Sequence, residues 1–299
     1  MKWHDVIRFL KQIGGQLFIL LQYLLPHHLL SQMMHWIARS EWHWLKDLLI
    51  RSAIRLYRID LEAAADPDPA GYRSFNDFFT RALRPDARPL PKRKNAVVSP
   101  VDATVSQAGR IGNGRIFQAK GHDFTLLELL GGDPKWTAAF EEGSFATLYL
   151  SPRDYHRIHM PLGGALKSML HVPGRLFSVS PITTRSIPRL FSRNERVVNL
   201  FETEAGPMAV ILVGAIFVAS MDTVWAGTVT PSWRRIRRWD YGRQSTAAVK
   251  LARGAELGRF NMGSTVILLF AKDAVNWAES LQPESRVRMG EQIATAISQ

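Results

Sequence analysis

The chain has 299 residues, 46% of them hydrophobic, enough for one large domain or two modest ones around a real core. It contains no cysteine, which removes disulfides, thiolate nucleophiles and Cys-type zinc sites at once. The net charge of +12 calls for an acidic partner, and residues 1–95 carry 15 Lys+Arg against 9 Asp+Glu while the rest carry 23 against 17, so the charge is spread rather than gathered into a nucleic-acid arm.

Residues 3–60 alternate apolar clusters with basic residues and hold four of the nine tryptophans, Trp3, Trp36, Trp42 and Trp44. The longest apolar run, Leu17 to Leu25, is interrupted by Gln22 and closed by Pro26. A spanning helix needs about 20 apolar residues, so this run does not cross a bilayer. No small-residue cleavage site follows it, which makes a signal peptide a poor fit. Short amphipathic helices rich in Trp and Lys/Arg suit the headgroup region of a membrane; core helices of a soluble bundle would show the same periodicity, and the Trp density favours the membrane. His27, His28, His35 and His43 read as interfacial or solvated.

Asp66-Pro-Asp-Pro-Ala-Gly71 is a linker signal, dividing an arm over 1–65 from a domain over 66–299. Ser74-Phe-Asn-Asp77 predicts a capping box opening a helix to about Leu83. From Ala96 onward, short apolar runs bounded by Gly, Pro and Asp predict strands at Ala96–Val98, Thr104–Gln107, Ala146–Leu150, Ala165–His171, Val197–Phe201, Met208–Val213, Phe217–Met221, Val224–Val229 and Thr265–Phe270. Helices are expected at Thr125–Leu130, at Asp273–Glu279 and from Glu291. The fold class is therefore α+β: amphipathic N-terminal helices, then a mostly antiparallel, β-rich domain.

Four segments can carry chemistry. Ser99-Pro-Val-Asp102 places a carboxylate after a strand, where an Asp is otherwise a turn former. Ser151-Pro-Arg-Asp-Tyr-His-Arg-Ile-His-Met-Pro161 holds His156 and His159 in a Pro-bounded polar loop; two flanking arginines and no third ligand argue against a metal. Gly258-Arg-Phe-Asn-Met-Gly-Ser-Thr265 ends in a Gly-Ser-Thr that alone is an ordinary turn-to-strand junction. Ala119-Lys-Gly-His122-Asp123 is a polar loop that either faces a ligand or is solvated. Together they offer a serine (Ser264), a base (His159) and an orienting carboxylate (Asp102), the three parts of an activated hydroxyl.

These segments, with Tyr72-Arg-Ser-Phe-Asn-Asp-Phe-Phe79, Asn194-Glu-Arg-Val197 and Val224-Trp-Ala-Gly-Thr228, resemble in order and neighbours the bacterial phosphatidylserine decarboxylase proenzymes over most of the chain. The resemblance implies self-cleavage between Gly263 and Ser264 into a large chain (1–263) and a small chain (264–299), with dimerisation of that heterodimer left open. It makes Ser264 the cleavage serine and source of a covalent pyruvoyl cofactor, and Asp102 and His159 its charge-relay partners. His156 is then a participant in decarboxylation and His122 a substrate-binding candidate. It further implies conversion of phosphatidylserine to phosphatidylethanolamine and CO2 by a peripheral enzyme on the cytoplasmic side of the cell membrane, with no nucleic acid and no metal. Two departures stand out: Met262 where the family has Leu, and Ala103 where a Gly is common. The rival reading is a serine lipid hydrolase using Asp102, His159 and Ser264 without self-cleavage.

Overall fold

A computed structural model describes residues 3–217, 220–230, 235–242, 248–261 and 264–297, with side chains described from residue 14. Three helices open the chain: α1 (Trp3–Leu24), α2 (His27–Arg39) and α3 (His43–Tyr57). Pro26 lacks the amide needed to continue α1 and sits at the N-cap of α2. Arg58, in the left-handed region with φ of 53°, ends α3. None of the described helices is long and apolar enough to cross a membrane.

The arm is only partly covered by the body. Gln22 is buried, its side-chain oxygen accepting from the Ser178 amide, and His28 bonds the Gly174 carbonyl. Ile50 and Ala53 of α3 pack with Phe75, Phe78 and Phe79 of α4 (Phe75–Phe79). Much of the remaining apolar surface faces outward: Leu24 is 70% exposed, Trp36 77%, Trp42 68% and Trp44 66%. His27 departs from its expected solvated position. It is buried edge-on to the Phe177 ring, because the turn at Pro26 directs it inward.

α4 is shorter than the expected helix to Leu83. The Ser74 hydroxyl accepts from the Asp77 amide, but Asp77 reaches back to the Arg73 amide, so the reciprocal box is displaced by one residue. Thr80 stops the helix, its hydroxyl donating to the Asn76 carbonyl.

The main sheet runs in the order Arg237–Asp240, Gly164–Val172, Arg196–Thr203, Gly206–Val213, Ser264–Phe270, Ser144–Leu150, Ala103–Arg110, Arg286–Val287, and every pairing is antiparallel. The Ser264–Phe270 strand lies at its centre, with every residue buried. A second sheet joins Gly227–Thr228, Met221–Thr223, Glu256–Phe260 and Arg157–His159; a third joins Ala96–Val98, Gln292–Ala296 and Val275–Trp277. Arg115–Ala119 and His122–Thr125 form a hairpin.

The expected α+β class and seven of the nine expected strands are present, with ends moved by a few residues. Four expectations are corrected. Phe217 lies in a turn, and 218–219 fall outside the described residues; the strand nearby is Met221–Thr223. Val224–Ala226 is a turn leading to the short Gly227–Thr228 strand. The segment 273–279 holds a strand, Val275–Trp277, because Asp273 turns the chain at φ of 53° and Val275 and Trp277 then share one face. After Glu291 the chain is again a strand, Gln292–Ala296, paired on both sides. The expected Thr125–Leu130 helix is one turn, Leu126–Leu129, with a full capping box between Thr125 and Glu128.

Candidate active site

Ser264 begins the central strand, opposite Leu150. Leu150 leads through a turn at 151–154 into the segment carrying Tyr155, His156 and His159. Two further bonds hold these segments together: the Phe260 amide donates to the His156 carbonyl, and the His159 amide to the Pro100 carbonyl. Asp102, His156, His159 and Ser264 thus lie on strands and loops tied to one another by backbone hydrogen bonds. Gly263 and Met262 lie outside the described residues, so the junction is seen from its Ser264 side and from Asn261.

The Ser264 hydroxyl is fully buried and has no hydrogen-bond partner among the described residues. Thr265 and Thr147 hydroxyls and His156 Nε2 are likewise buried and unpartnered. Each such group costs about 1–3 kcal/mol.

His159 is half-buried, and its ring is held at both nitrogens. Nδ1 donates to the Gly254 carbonyl at 2.8 Å, which leaves the Nε2 lone pair to accept from the Tyr155 hydroxyl at 2.9 Å. Gly254 has φ of +79°, and a Cβ there would meet Leu90 at 2.5 Å, so this carbonyl direction depends on glycine. Burial lowers the His159 pKa and keeps it a neutral base. Burial raises the pKa of Tyr155, which stays a protonated donor.

Asp102 does not bond His159. Its carboxylate takes two bonds from Arg88 and a third, at 2.7 Å, from the Met289 amide. Its charge still reaches His159 through space and favours the imidazolium. Asp102 and His159 therefore interact by charge without a hydrogen-bonded relay, and no hydrogen bond joins either to the Ser264 hydroxyl among the described residues. Ala103 lies in strand conformation with no positive φ, so its departure from Gly strains nothing.

His156 is wholly enclosed. Nδ1 donates to the Asp154 carbonyl at 2.7 Å, Phe79 lies 4.0 Å away between ring centroids, and the bare Nε2 carries the lone pair. Burial, and secondarily the charge of Arg81, push it down to about 3. Folding thus removes a proton-binding site that the unfolded chain has at 6.5. Between pH 6.5 and 3 the unfolded state holds the extra proton, so folded stability falls as pH drops, by up to about 1.4 kcal/mol per pH unit from this residue. Urea unfolding at pH 7 and pH 5 is expected to show that loss, and His156→Asn to flatten the slope.

His122 stands at the start of its hairpin strand, half-exposed and apart from these groups; the adjoining Ala119 and Lys120 border a 320 Å³ cavity that His122 does not line. Arg237–Asp240 forms an edge strand of the main sheet, with Arg237 and Arg238 exposed.

Asn261, Tyr155, Phe79 and Arg88 are site residues that sequence reasoning passed over. Asn261 is buried two positions before Gly263. Its amide donates to Ser220 (2.5 Å) and Asp222 (2.9 Å) and accepts from Asn76 (3.1 Å), while Arg39 of α2 also bonds Ser220 at 3.3 Å. The segment entering the junction is thereby pinned to α4 and, through Ser220, to the arm. If this pinning sets the junction for reaction, Asn261→Ala should slow chain cleavage by roughly 10²-fold, the cost of a misplaced reacting group; gel or mass time courses would show it.

The profile of the phosphatidylserine decarboxylase family matches residues 75–295, and one described as PSD matches 17–58. The chain is 54% identical over 281 residues to the phosphatidylserine decarboxylase proenzyme of Azotobacter vinelandii, covering 94% of this chain and 98% of that one. The chain belongs to the phosphatidylserine decarboxylase family. The Bordetella pertussis proenzyme is 55% identical over 287 residues (95% and 97% covered), and that of Pseudomonas putida 54% over 283 (95% and 99%). Within this family the 17–58 match coincides with most of the exposed apolar arm, and the 75–295 match with α4 and all four sheets.

Proposed function

We propose that this chain is a self-processing, pyruvoyl-dependent phosphatidylserine decarboxylase working at a membrane surface, with residues 1–65 as its membrane arm and 66–299 as its catalytic domain. The observation that carries the reading is the Ser264 hydroxyl, buried and unpartnered at the head of the central strand, in a chain whose relatives are proenzymes. A hydroxyl kept out of hydrogen bonds in the core suits a group destined for conversion, and the site fits the pyruvoyl group that Ser264 would become.

Cleavage needs the proton of Ser264 Oγ removed as Oγ attacks the Gly263 carbonyl, so that a C–O bond forms and the C–N bond breaks. His159 is the base. Its lone pair is engaged by Tyr155, so the imidazole must either exchange Tyr155 for the serine or take the proton through that hydroxyl. Asp102, anchored by Arg88 and the Met289 amide, stabilises the resulting imidazolium by charge rather than by contact. Elimination across the Cα–Cβ bond of residue 264 then releases Gly263 as a carboxylate. Addition of water and loss of ammonia leave the pyruvoyl cap on residues 264–299.

When present, that group supplies an electron sink for the pair left by departing CO2. The chain supplies the proton traffic. His156 Nε2, neutral and unpartnered, accepts the proton shed by the substrate amine and returns it to the α-carbon. Phe79 and the Asp154 carbonyl keep the ring fixed. A 390 Å³ cavity between α1 and the body is lined by Phe18, Leu21, Leu25, Val179 and Phe217, and bordered by Leu150, the strand partner of Ser264. Such apolar walls suit acyl chains, which leave a bilayer at about 0.8 kcal/mol per exposed CH2. The outward tryptophans and basic residues of the arm would seat it on anionic headgroups.

Intact mass of active protein tests the reading: a small chain of roughly 4 kDa with a borohydride-reducible terminus is expected. Activity from a single uncut chain would instead favour a serine lipid hydrolase. Flotation on vesicles should rise with anionic lipid; indifference to lipid charge would remove the electrostatic part of the arm's role.

A further inference from the structure

A cavity of 720 Å³ lies where the 58–63 and 81–88 segments meet the turn at 153–155 and the C-terminal segment 286–291. Neither Ser264, His156 nor His159 lines it. Seven arginines and five carboxylates do, an excess of two positive charges. Three of the arginines are ion-paired, Arg88 with Asp102, Arg286 with Asp154 and, more loosely at the surface, Arg84 with Asp86. Arg58, Arg153 and Arg288 have no side-chain hydrogen bond or ion pair among the described residues, and two of the lining carboxylates, Asp60 and Glu291, are partly spent on the backbone amides of Glu62 and Arg288.

Arg81 is the deciding residue. It is 5% exposed, so its charge is out of water, yet no carboxylate pairs with it. One guanidinium nitrogen, Nη2, reaches the Arg153 carbonyl at 3.4 Å; the other, Nη1, is buried with no partner. The guanidinium carbon stands 5.5 Å from the Phe78 ring centre, which fixes its direction. A buried, oriented and half-unsatisfied guanidinium beside other like charges is costly unless an anion completes it.

We propose that this cavity is a binding site for an oxyanion of the phosphate class, drawn by the unpaired charge of Arg81 and embraced by Arg58, Arg153 and Arg288. A phosphate carries about −1.5 to −2 charges near neutral pH, which matches the cavity's excess, and its oxygens accept the paired N–H bonds that guanidinium groups present. The anion joins groups from both sides of residue 264, so it ties the C-terminal segment to the linker after the arm. Asp102, Arg88 and Tyr155 also line the cavity, so it adjoins the proposed site, but anion binding there does not depend on the decarboxylase reading.

Calorimetric titration of the full chain, and of Ser264→Ala, with inorganic phosphate and separately with glycerol 3-phosphate tests this. Saturable binding is expected in both proteins. Tighter binding of glycerol 3-phosphate assigns the site to a phosphomonoester headgroup; equal or tighter binding of phosphate assigns it to the free ion. Arg81→Gln should weaken binding roughly tenfold or more, the worth of one charge-assisted hydrogen bond. Arg288→Gln, at the cavity wall, should weaken it several-fold and decides the matter if Arg81→Gln fails to fold. Arg110→Gln, whose partner Asp273 lies elsewhere on the surface, should bind as wild type. Absence of saturable binding for both ligands, or affinity unchanged by the Arg288 substitution and by a folded Arg81→Gln, would overturn the proposal.

Discussion

Ser264→Ala is expected to remain one 299-residue chain without decarboxylase activity, yet to fold at least as stably as wild type. The two halves of that result come from different facts. The hydroxyl is the proposed nucleophile and the source of the reactive carbonyl, so its loss removes both; deletion of an activated serine costs on the order of 10⁶-fold in rate elsewhere. The same hydroxyl makes no hydrogen bond among the described residues, so replacing it with hydrogen forfeits no such bond and relieves a buried unsatisfied group. Intact mass and thermal unfolding on one sample read both halves. A variant that still divides at this position would remove Ser264 from its role, and one that unfolds would show that the hydroxyl has a structural duty.

His156→Asn is expected to separate the two reactions. Cleavage should run to completion, because no step of it uses Nε2, while decarboxylation falls by roughly 10²–10⁴-fold, the span attributed to a positioned acid–base group. Asparagine retains a donor where Nδ1 bonds the Asp154 carbonyl, so the turn at 151–154 keeps its bond. The ring packed on Phe79 is lost, and some stability with it. The decisive comparison is therefore between small-chain yield and turnover on the same preparation. An uncut His156→Asn chain would place the residue in maturation instead.

Strands rich in Val, Ile, Leu and Phe were legible in the sequence because burial on both faces of a central sheet leaves a continuous apolar run, as in Val266 to Phe270 and Val210 to Val213. Two- to five-residue strands such as Arg157–His159 and Arg286–Val287 were not, since their pattern is set by partners distant in the chain. The C-terminal strand was misread as helix for the same reason: Gln-Ile-Ala-Thr-Ala has no strong local preference, and pairing with Ala96–Val98 decides it. At the site, residue types and order named Asp102, His156, His159 and Ser264. What the chain order could not show is which groups touch. Arg88, from a segment that carries no motif, occupies the carboxylate that a relay would have given to His159, and Tyr155 occupies the ring nitrogen that would have faced the serine.

The central position of the Ser264–Phe270 strand bears on when the proposed cut can happen. Its neighbours, Ser144–Leu150 and Gly206–Val213, arrive from distant parts of the chain, and the histidine-bearing turn is in place only once they have paired. A nascent or misfolded chain has the Gly-Ser bond but no base beside it. Under the proposed mechanism the electrophile is therefore born only inside finished molecules, and an unfolded copy carries an inert serine. Maturation then doubles as quality control, and the fraction of divided chains in a preparation records the fraction that once folded.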